Sequence, residues 1–159
     1  MEDEKILKIR IERYQQRIFS LALYLIGGNQ DNAYDITASS FVEVIRKMHS
    51  LEKEDIFFTA VSAVVVRKSR DVKVMPSFSE SDFAELPFAR RKALFLVRRA
   101  LQSLPFDTRA ILLLRDQLHL LHKDIAVILH ASEDNARSQT TQARILLRDK
   151  IKEVLSSGG

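Results

Sequence analysis

Apolar residues recur at steps of three and four through most of the chain, and this constrains its fold more than any other feature. Ile11, Tyr14, Ile18, Leu21 and Leu25 make one continuous stripe at the spacing of a single helix face. Gly27-Gly28-Asn29 should stop that helix, because glycine takes the left-handed conformation that ends helices. A second helix is expected from near Asp31, with Ala33, Ile36, Ser40, Phe41, Val44, Ile45 and Met48 on its buried side. A third, from Asp55 to Arg70, repeats Phe57, Phe58, Val61, Val64 and Val65. Its Val64-Val65-Val66 run is β-branched and admits a strand, but the apolar step does not alternate, so helix is the reading. With only 4 glycines and 3 prolines in 159 residues, the expectation is an all-α chain.

Residues 71–87 break the pattern. Pro76, Pro87, several serines and the acids Glu80, Asp82 and Glu85 read as a linker. Beyond it, helices are expected near 88–103, 106–117, 121–130 and 133–155. The chain thus divides into a helical lobe at 1–70, an acidic linker at 71–87 and a four-helix lobe at 88–159. Phe78 and Phe83 are apolar enough to dock the linker on a basic surface and hold the lobes closed.

A hydrophobic fraction of 46% fits a folded protein rather than a disordered one. The absence of cysteine excludes disulfides and thiolate metal sites. The first residues, MEDEK, lack the basic start and apolar run of a signal peptide, and no apolar stretch approaches the roughly 20 residues of a membrane helix. A cytoplasmic protein is expected. No phosphate-binding glycine loop, nucleophile elbow or catalytic dyad is visible. His119 and His122 are three apart, but lack cysteine or paired carboxylates beside them and are read as flanking a turn. No enzyme, metal or cofactor is expected.

The net charge of +4 is unevenly spread. Residues 1–70 carry 11 basic and 10 acidic side chains, residues 71–88 carry 1 and 4, and residues 89–159 carry 13 and 7. The excess of positive charge in the last half suits attraction to phosphate. Arg90, Arg91, Lys92, Arg98 and Arg99 cluster on one expected helix, either as a surface facing DNA or another partner or as a solvated face.

The stretch from Leu101 to Arg148 is the most informative. Leu104-Pro105 precedes Arg109 and Ile111-Leu112-Leu113-Leu114-Arg115, with proline suited to a first helical turn. Lys123 to Leu129 places Ile125, Ala126 and Leu129 on one face. His130-Ala131-Ser132 is a tight connection, and Ser132 is placed to cap the last helix. There Ala136, Thr140, Ala143 and Leu147 face inward, leaving Arg137, Ser138, Gln139, Thr141, Gln142 and Arg144 outside. Small residues at Ala126, Ala136 and Ala143 let two helices cross closely, as a helix-turn-helix requires. The exposed set suits phosphates and base edges in a major groove, although any amphipathic helix has a polar outer face.

These motifs, Leu104-Pro105-x-x-x-Arg109-x-x-Leu112-Leu113-Leu114-Arg115, Asp124-Ile125-Ala126-x-x-Leu129 and Ser132-x-x-x-Ala136-Arg137-Ser138, resemble region four of extracytoplasmic-function (ECF) sigma factors. The resemblance implies that the last helix binds the upstream promoter element and that this lobe also meets the polymerase β flap. Asn32-Ala33-Tyr34-Asp35-Ile36 followed by Phe41 is similar to the region-two stretch that docks on the β′ clamp, which implies Asp35 and Phe41 as polymerase contacts. Residues 57–64, by contrast, lack the tryptophan and basic side chains of the family's promoter-melting helix. Gln139 and Gln142 stand where relatives commonly carry arginine, and His130 stands for a turn glycine. The resemblance implies a transcription initiation factor that brings core RNA polymerase to promoter DNA, with a possible anti-sigma partner. The alternatives are a sigma-like interaction module without promoter recognition, or a helix-turn-helix regulator independent of polymerase.

Overall fold

The computed structural model describes residues 2–48, 53–73 and 78–157, and every regular element among them is helical. Helix α1 (Glu2–Ile26) begins with Glu2, Asp3 and Glu4, which favour its positive end. It ends in the expected glycine pair: Gly27 and Gly28 have φ of 93° and 100°, and the Gly28 N–H donates to the Leu23 carbonyl at 2.9 Å. Asn29 then caps α2 (Gln30–Lys47) by accepting the Asn32 N–H at 2.9 Å. Helix α3 (Glu54–Arg70) includes the valine run. Val65 and Val66 are buried there, so packing outweighs the weak strand preference of β-branched residues.

These three helices pack on one another around aromatic rings. Phe57 lies 6.1 Å from Phe41 and Phe58 meets Tyr14 edge-on at 4.6 Å, while Arg17 lies over Phe58 at 4.7 Å. Phe57 and Phe58 are both buried, and each such ring contributes about 1.5–3 kcal/mol by leaving water.

The second lobe comprises α4 (Phe88–Gln102), α5 (Phe106–Leu112), α6 (His122–Ile128) and α7 (Glu133–Ser156). Pro87 and Pro105 sit one residue before the expected first turn, at the caps of α4 and α5, where their carbonyls accept the Arg91 and Arg109 N–H groups. Helix α5 runs on into a π-helical segment, Leu113–Gln117, in which the Leu118 N–H reaches back to the Leu113 carbonyl at 2.9 Å.

Pro76 of the expected linker lies outside the described residues. The part that follows is docked rather than free. Ser79 and Asp82 form a reciprocal cap on a 3₁₀ turn, Glu80–Phe83, and Phe83 is buried. Arg98 does not share the solvated face of its helix. Its guanidinium lies 4.5 Å from the Tyr24 ring, 5.3 Å from Phe78 and 4.1 Å from Phe83, and Phe78 stacks on Tyr24 at 5.3 Å. This clasp joins α1, the linker and α4 by cation–π attraction.

The lobes are packed together, and their apolar cores form one continuous cluster. Polar contacts concentrate at the end of α1, whose last carbonyls have no partner within the helix. The Gln102 amide donates to the Tyr24 carbonyl at 2.9 Å, and Arg109 donates to the Leu25 carbonyl at 2.9 Å. Arg109 is only 3% exposed; it also donates to the Leu104 carbonyl at 2.9 Å, and burial lowers its pKa from the ordinary value. Elsewhere Arg17 donates to the Leu118 carbonyl at 2.6 Å, and Arg70 pairs with Asp107 at 2.7 Å.

Candidate nucleic-acid interface

The geometry of α6 and α7 follows from small residues and two caps. Ile125 and Ala126 on α6 and Ala136, Thr140 and Ala143 on α7 are all buried where the helices cross. Thr140 satisfies its hydroxyl by donating to the Ala136 carbonyl at 2.7 Å, so burying it leaves no unpaired donor. His130 ends α6 with φ of 56°, and the Ala131 N–H donates to the Ala126 carbonyl at 2.9 Å. This is the turn that glycine commonly occupies, made here by histidine. Ser132 caps α7 by accepting the Asn135 N–H at 3.1 Å, as its position in the sequence predicts.

Arg137, Ser138, Gln139, Thr141, Gln142 and Arg144 are all exposed along the outer side of α7. Nothing among the described residues covers this stripe, which is the condition for entering a groove. Its two arginines, however, already have acidic partners. Arg137 pairs with Glu133 at 3.0 Å, one turn earlier. Arg144 forks onto Asp116 at 2.5 and 3.2 Å, and this hydrogen bond, reinforced by the charge on Asp116, raises the Arg144 pKa. Thr141 turns its hydroxyl back to the Arg137 carbonyl at 3.3 Å. Asp116 carries no signal in the sequence, since 28 residues separate it from Arg144 and the π-helical segment alters its register.

Of the two expected polymerase contacts, only Asp35 presents its side chain at the surface. Phe41 is 5% exposed, on the buried side of α2 where its helical spacing places it. It forms the floor of a groove of about 610 Å³ between α1 and α2, lined also by Phe19, Tyr34, Thr37, Ala38 and Val42. Tyr34 is 70% exposed at its rim and touches Phe19 edge-on at 5.5 Å. The segment similar to the promoter-melting helix is a packing face, for Phe57, Phe58, Val61 and Ser62 are buried. Among the described residues, no group of three His, Asp or Glu converges as metal ligands, and no helix is long and apolar enough to cross a membrane.

Residues 94–147 match the family model described as sigma-70, region 4. The chain is 25% identical to the ECF RNA polymerase sigma-E factor of Salmonella typhimurium over 175 aligned positions, covering 96% of this chain and 90% of that one. The corresponding protein of Escherichia coli K12 is 24% identical over the same extent. Among solved structures, the sigma factor RpoE of Bartonella quintana, crystallised in complex with the anti-sigma factor NepR, has the same fold. Its TM-score is 0.65 at 17% identity, covering 91% of this chain and 96% of that chain.

Proposed function

We infer, from the match of residues 94–147 to sigma-70 region 4 and the likeness of the chain to ECF sigma-E factors, that this is an ECF-type sigma factor that binds core RNA polymerase and directs it to promoter DNA. The observation that carries this reading is the open stripe from Arg137 to Arg144 on the second helix of the helix-turn-helix. A helix presented in this way fits the major groove, with amide and hydroxyl groups for base edges and arginines for phosphate. Ser138, Gln139, Thr141 and Gln142 are assigned to base contact, Arg137 to either bases or phosphate, and Arg144 to phosphate. Reaching DNA requires Arg137 and Arg144 to leave Glu133 and Asp116, so the free protein holds part of its interface charge in reserve.

The first lobe is assigned to the polymerase β′ clamp through Asp35, with Phe41 supporting the surface from beneath. The second lobe is assigned to the β flap as well as the upstream promoter element. An anti-sigma factor is a further partner, since the Bartonella relative was crystallised with one. Strand contact is not assigned to residues 57–64, because their apolar side is packed against the core. The factor performs no covalent chemistry; it supplies sequence recognition to the polymerase.

Reconstitution with bacterial core polymerase, followed by selection of promoter fragments from a random library, tests this assignment. A start-specific transcript that is lost in Q139A/Q142A is the expected result. Core binding without DNA selection, or DNA selection without core, would overturn it.

A further inference from the structure

The last carbonyls of a helix have no partner within it, and just past the π-helical segment of the second lobe one such carbonyl is answered from the first lobe. The Leu118 N–H closes the wide turn onto the Leu113 carbonyl at 2.9 Å, and the Leu120 N–H reaches the Leu114 carbonyl at 3.0 Å. Arg115, within the segment, donates to the Leu120 carbonyl at 2.8 Å. The Leu118 carbonyl instead takes its bond from Arg17 of α1, 101 residues away in sequence, at 2.6 Å. Arg17 is steadied in turn by the Phe58 ring, 4.7 Å from its guanidinium. Two residues before Leu118, the Asp116 carboxylate accepts the fork of Arg144 from α7, at 2.5 and 3.2 Å.

We propose that Arg17 is a positioning residue for the DNA-binding face: it holds the π-helical segment where Asp116 keeps Arg144, and parting the lobes frees Arg144 for a DNA phosphate. The proposal rests on the assignment of α7 to DNA.

The segment is of a kind that needs an outside hold. A π-helical turn carries one residue more than an α-helical one. His119, just after it, has φ of 59°, a left-handed conformation that is unfavourable for a residue with a Cβ. Leu113, Leu114 and Leu118 are buried and fix the inner side of the segment. Asp116 is exposed, so its position follows the path of the backbone. A slip of one residue in a helix turns a side chain through about 100°, and even part of that swing carries the carboxylate out of hydrogen-bonding range of the fork. Helix α1 packs directly on the segment, which makes the first lobe one wall of the mould.

Such coupling is reciprocal. Whatever weakens the contact between lobes strengthens the grip of α7 on phosphate, and duplex bound to α7 weakens the contact between lobes by the same factor. A polymerase that spreads the lobes thereby also delivers a free Arg144. The gain available through Arg17 is bounded by the gain from removing the Asp116 charge itself, about 1.4- to 5-fold for an exposed pair.

The test uses the full chain as wild type, R17M, R17K, D116N and R17M/D116N. Arg17 lies at the surface, so R17M keeps an apolar stem over Phe58 and opens no cavity in the core. The Arg144 Nε–H signal is followed by NMR in the free protein. R17M should move it toward its position in D116N, whereas R17K, which retains a donor for the Leu118 carbonyl, should leave it near the wild-type position. Binding is then measured to a random-sequence duplex of about 30 base pairs at about 50 mM salt, where phosphate contacts dominate. R17M should bind about 1.4- to 5-fold more tightly than the wild type, R17K like the wild type, and R17M/D116N no more tightly than D116N alone. An Arg144 signal unmoved by R17M, or a gain in R17M that adds in full to that of D116N, would overturn the coupling and leave the DNA assignment standing. A moved signal with no duplex binding in any variant would overturn the DNA assignment and uphold the hold of Arg17 on Asp116.

Discussion

Replacing Arg109 by methionine isolates what the second lobe does for the end of α1. Methionine fills much of the same space, so the change is mainly the loss of two short hydrogen bonds, to the Leu25 and Leu104 carbonyls, and a long one to Gln102 at 3.5 Å. Each buried acceptor left unpaired costs about 1–3 kcal/mol, which gives a gross loss of about 2–6 kcal/mol. Against this stands the relief of a guanidinium that is 3% exposed and has no carboxylate among its hydrogen-bond partners, a penalty of several kcal/mol when such a charge is buried. That relief offsets part of the gross loss, and the net expectation is a loss of about 2–3 kcal/mol, in the lower part of the range. With a urea slope of about 2–3 kcal/mol per molar, the midpoint of unfolding followed by circular dichroism should fall by about 1 M. Hydrogen exchange adds the spatial half of the test, because amides near Tyr24 to Gly28 should lose protection while those on the outer side of α7 do not. A midpoint within about 0.25 M of wild type, or protection lost evenly over both lobes, would refute the view that Arg109 holds the α1 terminus from across the interface.

Three further outcomes are expected. D116N frees Arg144 from an exposed ion pair worth about 0.2–1 kcal/mol, so duplex affinity in filter binding should rise by about 1.4- to 5-fold, and an unchanged or weaker affinity would count against Arg144 as a phosphate contact. H130G relieves the positive φ of a non-glycine residue, and thermal or urea unfolding should record a gain of about 0.5–1 kcal/mol. Glu43 is held below the usual glutamate range chiefly by its hydrogen bond to Arg67, with Lys47 and Lys68 adding attraction. Its folded pKa is therefore depressed, so its contribution is present at neutral pH and lost as the pH falls through and below the ordinary glutamate range; acid titration of E43Q should lack that part of the decline.

The helices were legible because a three-and-four step of apolar residues, Gly27-Gly28 and Ser132 are local signals, and each specifies a face or an end without knowledge of the rest of the chain. The contact between lobes was not. Arg109 reads as one motif residue among several, while its partner at Leu25 is a backbone carbonyl 84 residues away, and carbonyls leave no trace in side-chain identity. Arg98 misled for a related reason: a cation in a basic run looks solvated until Tyr24, Phe78 and Phe83 are brought around it. On the candidate interface, helical period alone placed Arg137 and its neighbours outside. It could not reveal that Glu133 and Asp116 already hold the arginines. Helical period also places Phe41 on the buried side of α2, where it lies; its link to a polymerase surface comes from the family resemblance and not from its spacing.

The seating of Phe78 and Phe83 on Arg98 also sets how far the two halves can travel from each other. While the rings stay in place, the chain from Arg70 to Phe78 could span at most about 29 Å if the packed lobes parted. That is less than one turn of duplex DNA, about 34 Å. Once the rings let go, the whole stretch from 71 to 87 pays out to about 60 Å, close to two turns. Once the shared core and the Arg109 contacts have parted, three aromatic side chains around one arginine set whether the halves can reach one site on a duplex or two.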